Sequence, residues 1–190
     1  GSQIEVRQTT ILDEYIYAAT DSGIYRAMVS ADNLIDFEQW ELVIGSNWMG
    51  ITVFGQDLYA VSLDKRLYKY NGTNFAIQTQ ISQYETELED LKVNDSYMTV
   101  VNDTKVHIYD NQLVEVLEVD SLEDYPGIEF NSALILNNNI YLGTEMQGML
   151  ETNFPVPMTV NQILPDGPLL NNTFALRAIP NELWVVYGDY

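Results

Sequence analysis

The sequence predicts an all-β fold of β-propeller blades, four complete four-stranded antiparallel blades and the start of a fifth. Three observations predict it. First, one strand–turn–strand plan recurs: its first strands align Tyr17, Tyr59, Met98, Tyr141 and Trp184, at gaps of 42, 39, 43 and 43 residues. The second strands keep step at Tyr25, Tyr68, Tyr109 and Leu150, spaced 43, 41 and 41. A period of roughly 40–45 residues holding several short strands is the signature of a propeller. Second, the strands alternate, are rich in Val, Ile and Tyr, and are bounded by Asn, Asp and Gly turns. Third, no stretch shows the 3.6-residue apolar period that a helical repeat of this length requires.

The central hairpins are Leu12 to Arg26, Gly55 to Lys69, Asn94 to Asp110 and Asn137 to Glu151, with a fifth begun at Pro180 to Tyr190. An innermost strand precedes each: Ile4 to Ile11, Trp48 to Phe54, Leu88 to Val93, Ile128 to Leu136, and Phe174 to Ile179. An outer strand comes after each complete hairpin: Trp40 to Ile44, Phe75 to Ile81, Val114 to Val119, and Met158 to Leu164. The blades are therefore expected at about 3–44, 46–83, 85–122 and 127–165, with a partial fifth at 170–190, in a single propeller; residues 1–2 read as a cloning remnant. Gly23 and Gly148 are expected to supply the positive φ of a tight turn. Tyrosines at equivalent strand positions (Tyr17, Tyr25, Tyr59, Tyr68, Tyr109 and Tyr141) are expected to fill the wedge between blades. Propellers close as rings of 4–8 blades to remove exposed edges. The half-built fifth blade therefore reads as part of a larger propeller, and self-association through open blade edges is an expectation.

Composition narrows the function classes. Net charge is −20, from 28 carboxylates against 8 basic residues, which repels phosphate backbones and anionic headgroups. No nucleic-acid partner and no membrane insertion are expected; no apolar run approaches the ~18–20 residues of a spanning helix. With no cysteine, thiol catalysis and thiolate-held metals are out. The one histidine, His107, lies between Val106 and Ile108 on a strand and reads as structural, and neither a triad nor a His/Cys zinc site can be built. Carboxylates are plentiful enough for a glycosidase-type pair. Propeller sialidases, however, carry Ser-x-Asp-x-Gly-x-Thr-Trp boxes and clustered arginines, and here Arg7, Arg26, Arg66 and Arg177 are scattered. The acidic stretches Glu85 to Asp90 and Glu115 to Asp124 lack the spacing and mid-loop Gly of an EF-hand, so they read as solvated loops. No Gly-rich phosphate loop is present. The expectation is a binding protein, not an enzyme, with no cofactor and no metal.

The stretch Leu164 to Tyr187 resembles the two-component-regulator propeller repeat, through Gly167, Pro168, Asn171, Asn172, Leu183, Trp184 and Val185. Ala18 to Arg26 fits the Thr-x-x-Gly-Ile-Tyr-Arg half of the same repeat, and blades two and three lack its Gly and Trp. Degenerate blades together with the LWVVYGDY strand are similar to the N-terminal propeller of PorZ-like proteins of the Bacteroidota type IX secretion system. That resemblance implies a cell-surface or outer-membrane location and a scaffold that helps attach cargo to anionic surface polysaccharide, with protein partners, polysaccharide or both. Asp120-Ser121-Leu122 fits that phylum's O-glycosylation motif. The alternative that the repeat implies is a periplasmic, oligosaccharide-sensing propeller of a hybrid two-component regulator. The domains encoded beyond Tyr190 in the full gene separate the two: further propellers and a sorting domain in the first case, a transmembrane helix and kinase in the second.

The contact face is expected at one end of the blades, where the loops entering the innermost strands meet the turns between second and third strands. Those loops carry Trp48, Tyr84 and Tyr125, and the turns carry Asp21, Lys65, Arg66 and Lys105. Exposed aromatics beside the one adjacent basic pair, Lys65 and Arg66, would suit an acidic glycan. Trp48 serves equally well as a plug between blades.

Overall fold

The computed structural model describes residues 4–94, 96–157, 159–164, 172–180 and 182–188. Blade one consists of β1 (Val6–Leu12), β2 (Tyr15–Thr20), β3 (Gly23–Met28) and β4 (Glu41–Gly45). Blade two comes next with β5 (Trp48–Phe54), β6 (Asp57–Ser62), β7 (Leu67–Tyr70) and β8 (Phe75–Ile77). Blade three holds β9 (Leu88–Asn94), β10 (Tyr97–Asn102), β11 (Val106–Tyr109) and β12 (Glu115–Val119). Blade four holds β13 (Phe130–Leu136), β14 (Asn139–Thr144), β15 (Met149–Asn153) and β16 (Asn161–Ile163). β17 (Thr173–Ile179) and β18 (Glu182–Tyr187) form a two-stranded fifth. The first four are four-stranded antiparallel sheets with strands in sequence order, the blades of a β-propeller. A single 3₁₀ turn, Phe37–Gln39, is the only helical element among the described residues, and no helix is long and apolar enough to cross a membrane.

The chain divides into two compact units, residues 1–88 with blades one and two, and residues 89–190 with blades three to five. Within each unit the blades stack through period-two alternation, because successive side chains of a strand point to opposite faces. Tyr17, Ala19 and Ile24 leave the forward face of blade one and meet Trp48, Ile51, Leu58, Ala60 and Phe75 of blade two. Val101, Val106 and Ile108 of blade three likewise meet Ala133, Ile140 and Leu142 of blade four, and Leu134 and Met149 of blade four meet Leu176, Leu183 and Val185. Hydrogen bonds reinforce the stacking. Gln8 Oε1 accepts the Ile51 backbone N–H at 3.1 Å, and Thr99 Oγ1 donates to the Ala133 carbonyl at 2.9 Å.

In blades one to four a polar residue ends the second strand and closes the turn after it. Thr20 Oγ1 accepts the Gly23 N–H at 3.0 Å and Asn102 Oδ1 the Lys105 N–H at 2.8 Å; Thr144 Oγ1 accepts the Gln147 N–H at 2.9 Å. Such side-chain caps replace the hydrogen bonds that the backbone loses when it reverses.

Three details depart from expectation. Gly148 has positive φ (75°) as expected, but Gly23 does not; its role is close approach, since a Cβ there would lie 2.7 Å from the Ile44 carbonyl oxygen. In blade two the left-handed residue is Lys65, at φ 63°. Blade three is shifted by one: Tyr97 and Val101 pack on blade four as Tyr15 and Ala19 pack on blade two, so Thr99, not Met98, matches Tyr17. Tyr109 pairs with Met98, while His107, opposite Val100, takes the place of Tyr25, opposite Ala18. The outer strand of blade two ends at Ile77 because the chain turns there, with the Ile81 N–H donating to the Gln78 carbonyl at 3.1 Å.

Candidate functional site

The expected end of the blades exists as a repeated latch. In four blades the residue after the second strand donates its N–H to the residue before the innermost strand: Asp21 to Glu5 at 3.2 Å, Leu63 to Asn47 at 3.0 Å, Glu145 to Glu129 at 3.1 Å and Gly188 to Asn172 at 3.0 Å. These bonds hold turn and entering loop side by side in blades one, two, four and five.

The aromatic set expected there is overturned. Trp48 is 2% exposed, its ring set edge-on to Tyr68 at 5.0 Å and tilted to Phe75 at 5.3 Å, with Nε1–H donating to the Gly45 carbonyl at 3.2 Å. Tyr84 is 7% exposed, and its N–H donates to the Lys65 carbonyl at 2.8 Å. Tyr125 is half-buried against the core of blades three and four. All three satisfy core contacts, which removes them as a stacking platform.

The cations are occupied as well. Lys65 Nζ donates to the Glu85 carbonyl at 2.8 Å and Arg66 Nη2 to Gln83 Oε1 at 3.3 Å, so the basic pair clamps the 83–85 loop. Lys105 Nζ sits 3.2 Å from Glu118 Oε1. Asp21 folds back on Glu5, accepting its N–H at 3.3 Å.

What the latch does present is carboxylate, which residue type and spacing alone do not single out. In the second unit the Phe130 N–H donates to the Asp103 carbonyl at 2.9 Å, which joins Asp103 to the Glu129–Glu145 latch. The hydrogen bond Glu129 shares with Glu145 pushes its carboxyl pKa up, with the charges of Glu145 and Asp103 adding to it. Asp103 Oδ1 is buried with no donor among the described residues. Glu5 and Asp21 are the equivalent pair in the first unit. One signal in the sequence could have found them: these residues occupy the columns immediately before β1 and β13 and after β2, β10 and β14.

A second cluster lies on the outer strands of blade three. The β11–β12 ladder shifts register between Ile108 and Tyr109, so Glu115 and Glu118 both reach His107 although three residues apart. His107 Nδ1 is 2.6 Å from Glu115 Oε1 and 3.4 Å from Glu118 Oε2, with the Lys105 ammonium on the same Glu118. Two carboxylates and an imidazole are metal-ligand types, but Lys105 competes for one of them and the rest are paired with each other. The arrangement accounts for itself as an ion-pair network.

No family model matches the sequence, and no curated protein matches it. Solved structures do match in shape. The outer coat vertex of COPII on membranes aligns at TM-score 0.70 and 10% identity over 97% of this chain and 56% of that one. The AfRom2 CNH domain aligns at 0.69 and 14%, over 98% and 66%. PorZ, a bacterial surface component of the type IX secretion system of Porphyromonas gingivalis, aligns at 0.61 and 15%, over 97% and 25%. At these identities the likeness shows the propeller fold, and the chain spans a quarter to two thirds of these three proteins.

Proposed function

We propose that the chain is a non-catalytic binding propeller that meets a protein partner of basic surface through the carboxylate-bearing end of its blades. The observation that carries this reading is the Asp103–Glu129–Glu145 group, in which like charges are held together and one buried carboxylate oxygen has no donor among the described residues. Holding anions together costs free energy that an incoming lysine or arginine recovers. The net charge of −20 steers the same class of partner. An anionic polysaccharide is less well served, since Lys65, Arg66 and Lys105 are engaged within the fold.

The finer placement is PorZ-like: a surface component assisting type IX secretion, outside or on the outer membrane. Its support is the shape likeness to PorZ and the Leu183-Trp184-Val185 run on β18; Gly167, Pro168 and Asn171 of the same motif lie outside the described residues.

Titration with an oligolysine peptide at low salt tests the site. Glu129→Lys with Glu145→Lys is expected to weaken binding at least about tenfold, a loss of ~1.4 kcal/mol. Glu14→Lys with Asp32→Lys makes the same change in net charge at the opposite end of blade one and is expected to change it little. Equal weakening by both pairs would reduce the interaction to overall charge and remove the site.

A further inference from the structure

His107, Glu115 and Glu118 meet on one face of blade three because of a single irregularity in its ladder. On a regular strand, residues three apart point to opposite faces. The register shift between Ile108 and Tyr109 sets Glu118 opposite His107 and Glu115 opposite Tyr109, which turns both carboxylates toward the imidazole. Bulges of this kind re-aim side chains at functional positions. The imidazole comes from a buried strand, with His107 8% exposed, whereas both carboxylates stand at the surface. These side chains all belong to one blade, so the group is complete whatever packs against that blade.

Their spacing suits a small divalent ion. One ligand atom of each lies within 4.8 Å of those of the other two. His107 Nδ1 is 3.4 Å from Glu118 Oε2. Two ligands on a tetrahedral zinc ion, each at about 2.1 Å, stand roughly 3.4 Å apart. Glu115 Oε1 is 2.6 Å from the same nitrogen, and its exposed side chain has to withdraw by less than about 1 Å to match that separation. Lys105 competes for Glu118 through Oε1, at 3.2 Å, while the oxygen that faces the imidazole is Oε2.

We propose that these residues bind one transition-metal ion of the zinc class, held by His107 Nδ1, Glu118 Oε2 and Glu115 Oε1, with water completing the tetrahedron. The ion-pair network is the metal-free form of the same site. On binding, the Nδ1 proton leaves for solvent, as it does from any imidazole that becomes a ligand, and the ion takes its place between nitrogen and carboxylate. An imidazole beside carboxylates favours zinc over calcium and magnesium, whose shells are built from oxygen. The net charge of −20 gathers divalent cations of every kind, so selectivity rests on the imidazole. Because its ligands come from two neighbouring strands, the ion staples β12 to β11. None of the three belongs to the Asp103–Glu129–Glu145 group, and failure of this site would leave the proposed function untouched.

Calorimetric titration of the chain, without an affinity tag, with zinc in roughly 100 mM sodium chloride tests it, the salt screening diffuse binding. One ion per chain is expected, with calcium giving no such site, and cobalt in place of zinc is expected to show the visible absorption of a tetrahedral ion. Glu115→Gln and Glu118→Gln, both at the surface, are each expected to weaken zinc binding at least about tenfold. His107→Gln is expected to do the same, and the two surface variants carry the test should the loss of a buried histidine unfold the blade. Lys105→Met removes the competing ammonium and is expected to tighten binding. The inference is overturned by the lack of a one-to-one zinc site with Kd below about 1 mM. It is equally overturned by a Gln variant that binds zinc as the wild type does, or by calcium binding as tight as zinc, since an acidic surface alone then accounts for the uptake. A Lys105→Met variant that binds no more tightly also overturns it, because Glu118 is then not the contested ligand.

Discussion

Trp48 and Trp184, at 2% and 59% exposure, show how little residue type says about role when blades are stacked. The Trp48 indole fills the space between blades one and two, bounded by Ile51, Leu58 and Phe75, and its one polar atom is satisfied by Gly45. Burying a ring of that size and pairing its N–H is the pattern of a core residue. Trp48→Ala is therefore expected to lower unfolding free energy by about 3–5 kcal/mol. Urea denaturation checks it, and a loss below about 1 kcal/mol would mean that the ring is not core. The same burial explains why the aromatic contact face expected from sequence fails. A tryptophan opening an innermost strand looks alike whether it faces solvent or a neighbouring blade, and only the fold distinguishes them.

At the scale of the element, the blade–blade distance is set by the smallest residues on the facing strands. Gly143 is the sharpest case: a Cβ there would lie 2.9 Å from Ser132 Oγ and 3.0 Å from both Cγ2 and the carbonyl oxygen of Thr173, at the start of β17. Because one of those atoms is backbone, blade five must shift to admit a methyl group. Gly143→Ala is expected to cost about 1–3 kcal/mol. Gly45→Ala, where nothing lies within 4 Å, is expected to change stability by less than ~0.5 kcal/mol. Equal denaturation midpoints for the two variants would refute the close-approach account. Strand positions were legible in the sequence because turn residues bracket them, and the innermost strand Trp48–Phe54 lies where those brackets predict it. Register in blade three was not. Five of the six residues of β10 are buried, so both faces are apolar, and sliding Met98 into the place of Thr99 leaves no mismatch in hydropathy. The carboxylate end was missed for a related reason. Its residues are far apart in sequence, and only the latch hydrogen bonds bring Glu129 and Glu145 together.

For the molecule as a whole, 28 carboxylates against 8 basic residues set the electrostatic balance. Arg26, Lys69, Lys92 and Lys105 each already hold a carboxylate: Glu41 at 2.8 Å, Asp57 at 2.7 Å, Asp90, and Glu118 at 3.2 Å. These pairs are local, and exposed ones contribute little. The remaining negative charge repels itself over distances that the folded state makes shorter than the unfolded chain does. The pKa of Glu129 is raised first by its hydrogen bond to Glu145, and the charge of Glu145 adds to it as one local instance of that repulsion. Sodium chloride shortens the screening length from about 30 Å at 0.01 M to about 10 Å at 0.1 M and about 3 Å at 1 M, and weakens the long-range repulsion before it weakens a contact pair. Raising sodium chloride from about 10 mM to about 500 mM, values on the scale of those screening lengths, is therefore expected to stabilise the fold. The shift should be roughly 1–2 kcal/mol, or about 2–8 °C in the thermal midpoint. A midpoint that falls with salt would mean that the few ion pairs outweigh the net charge, and that the repulsion attributed to the carboxylate end is not a property of the folded protein.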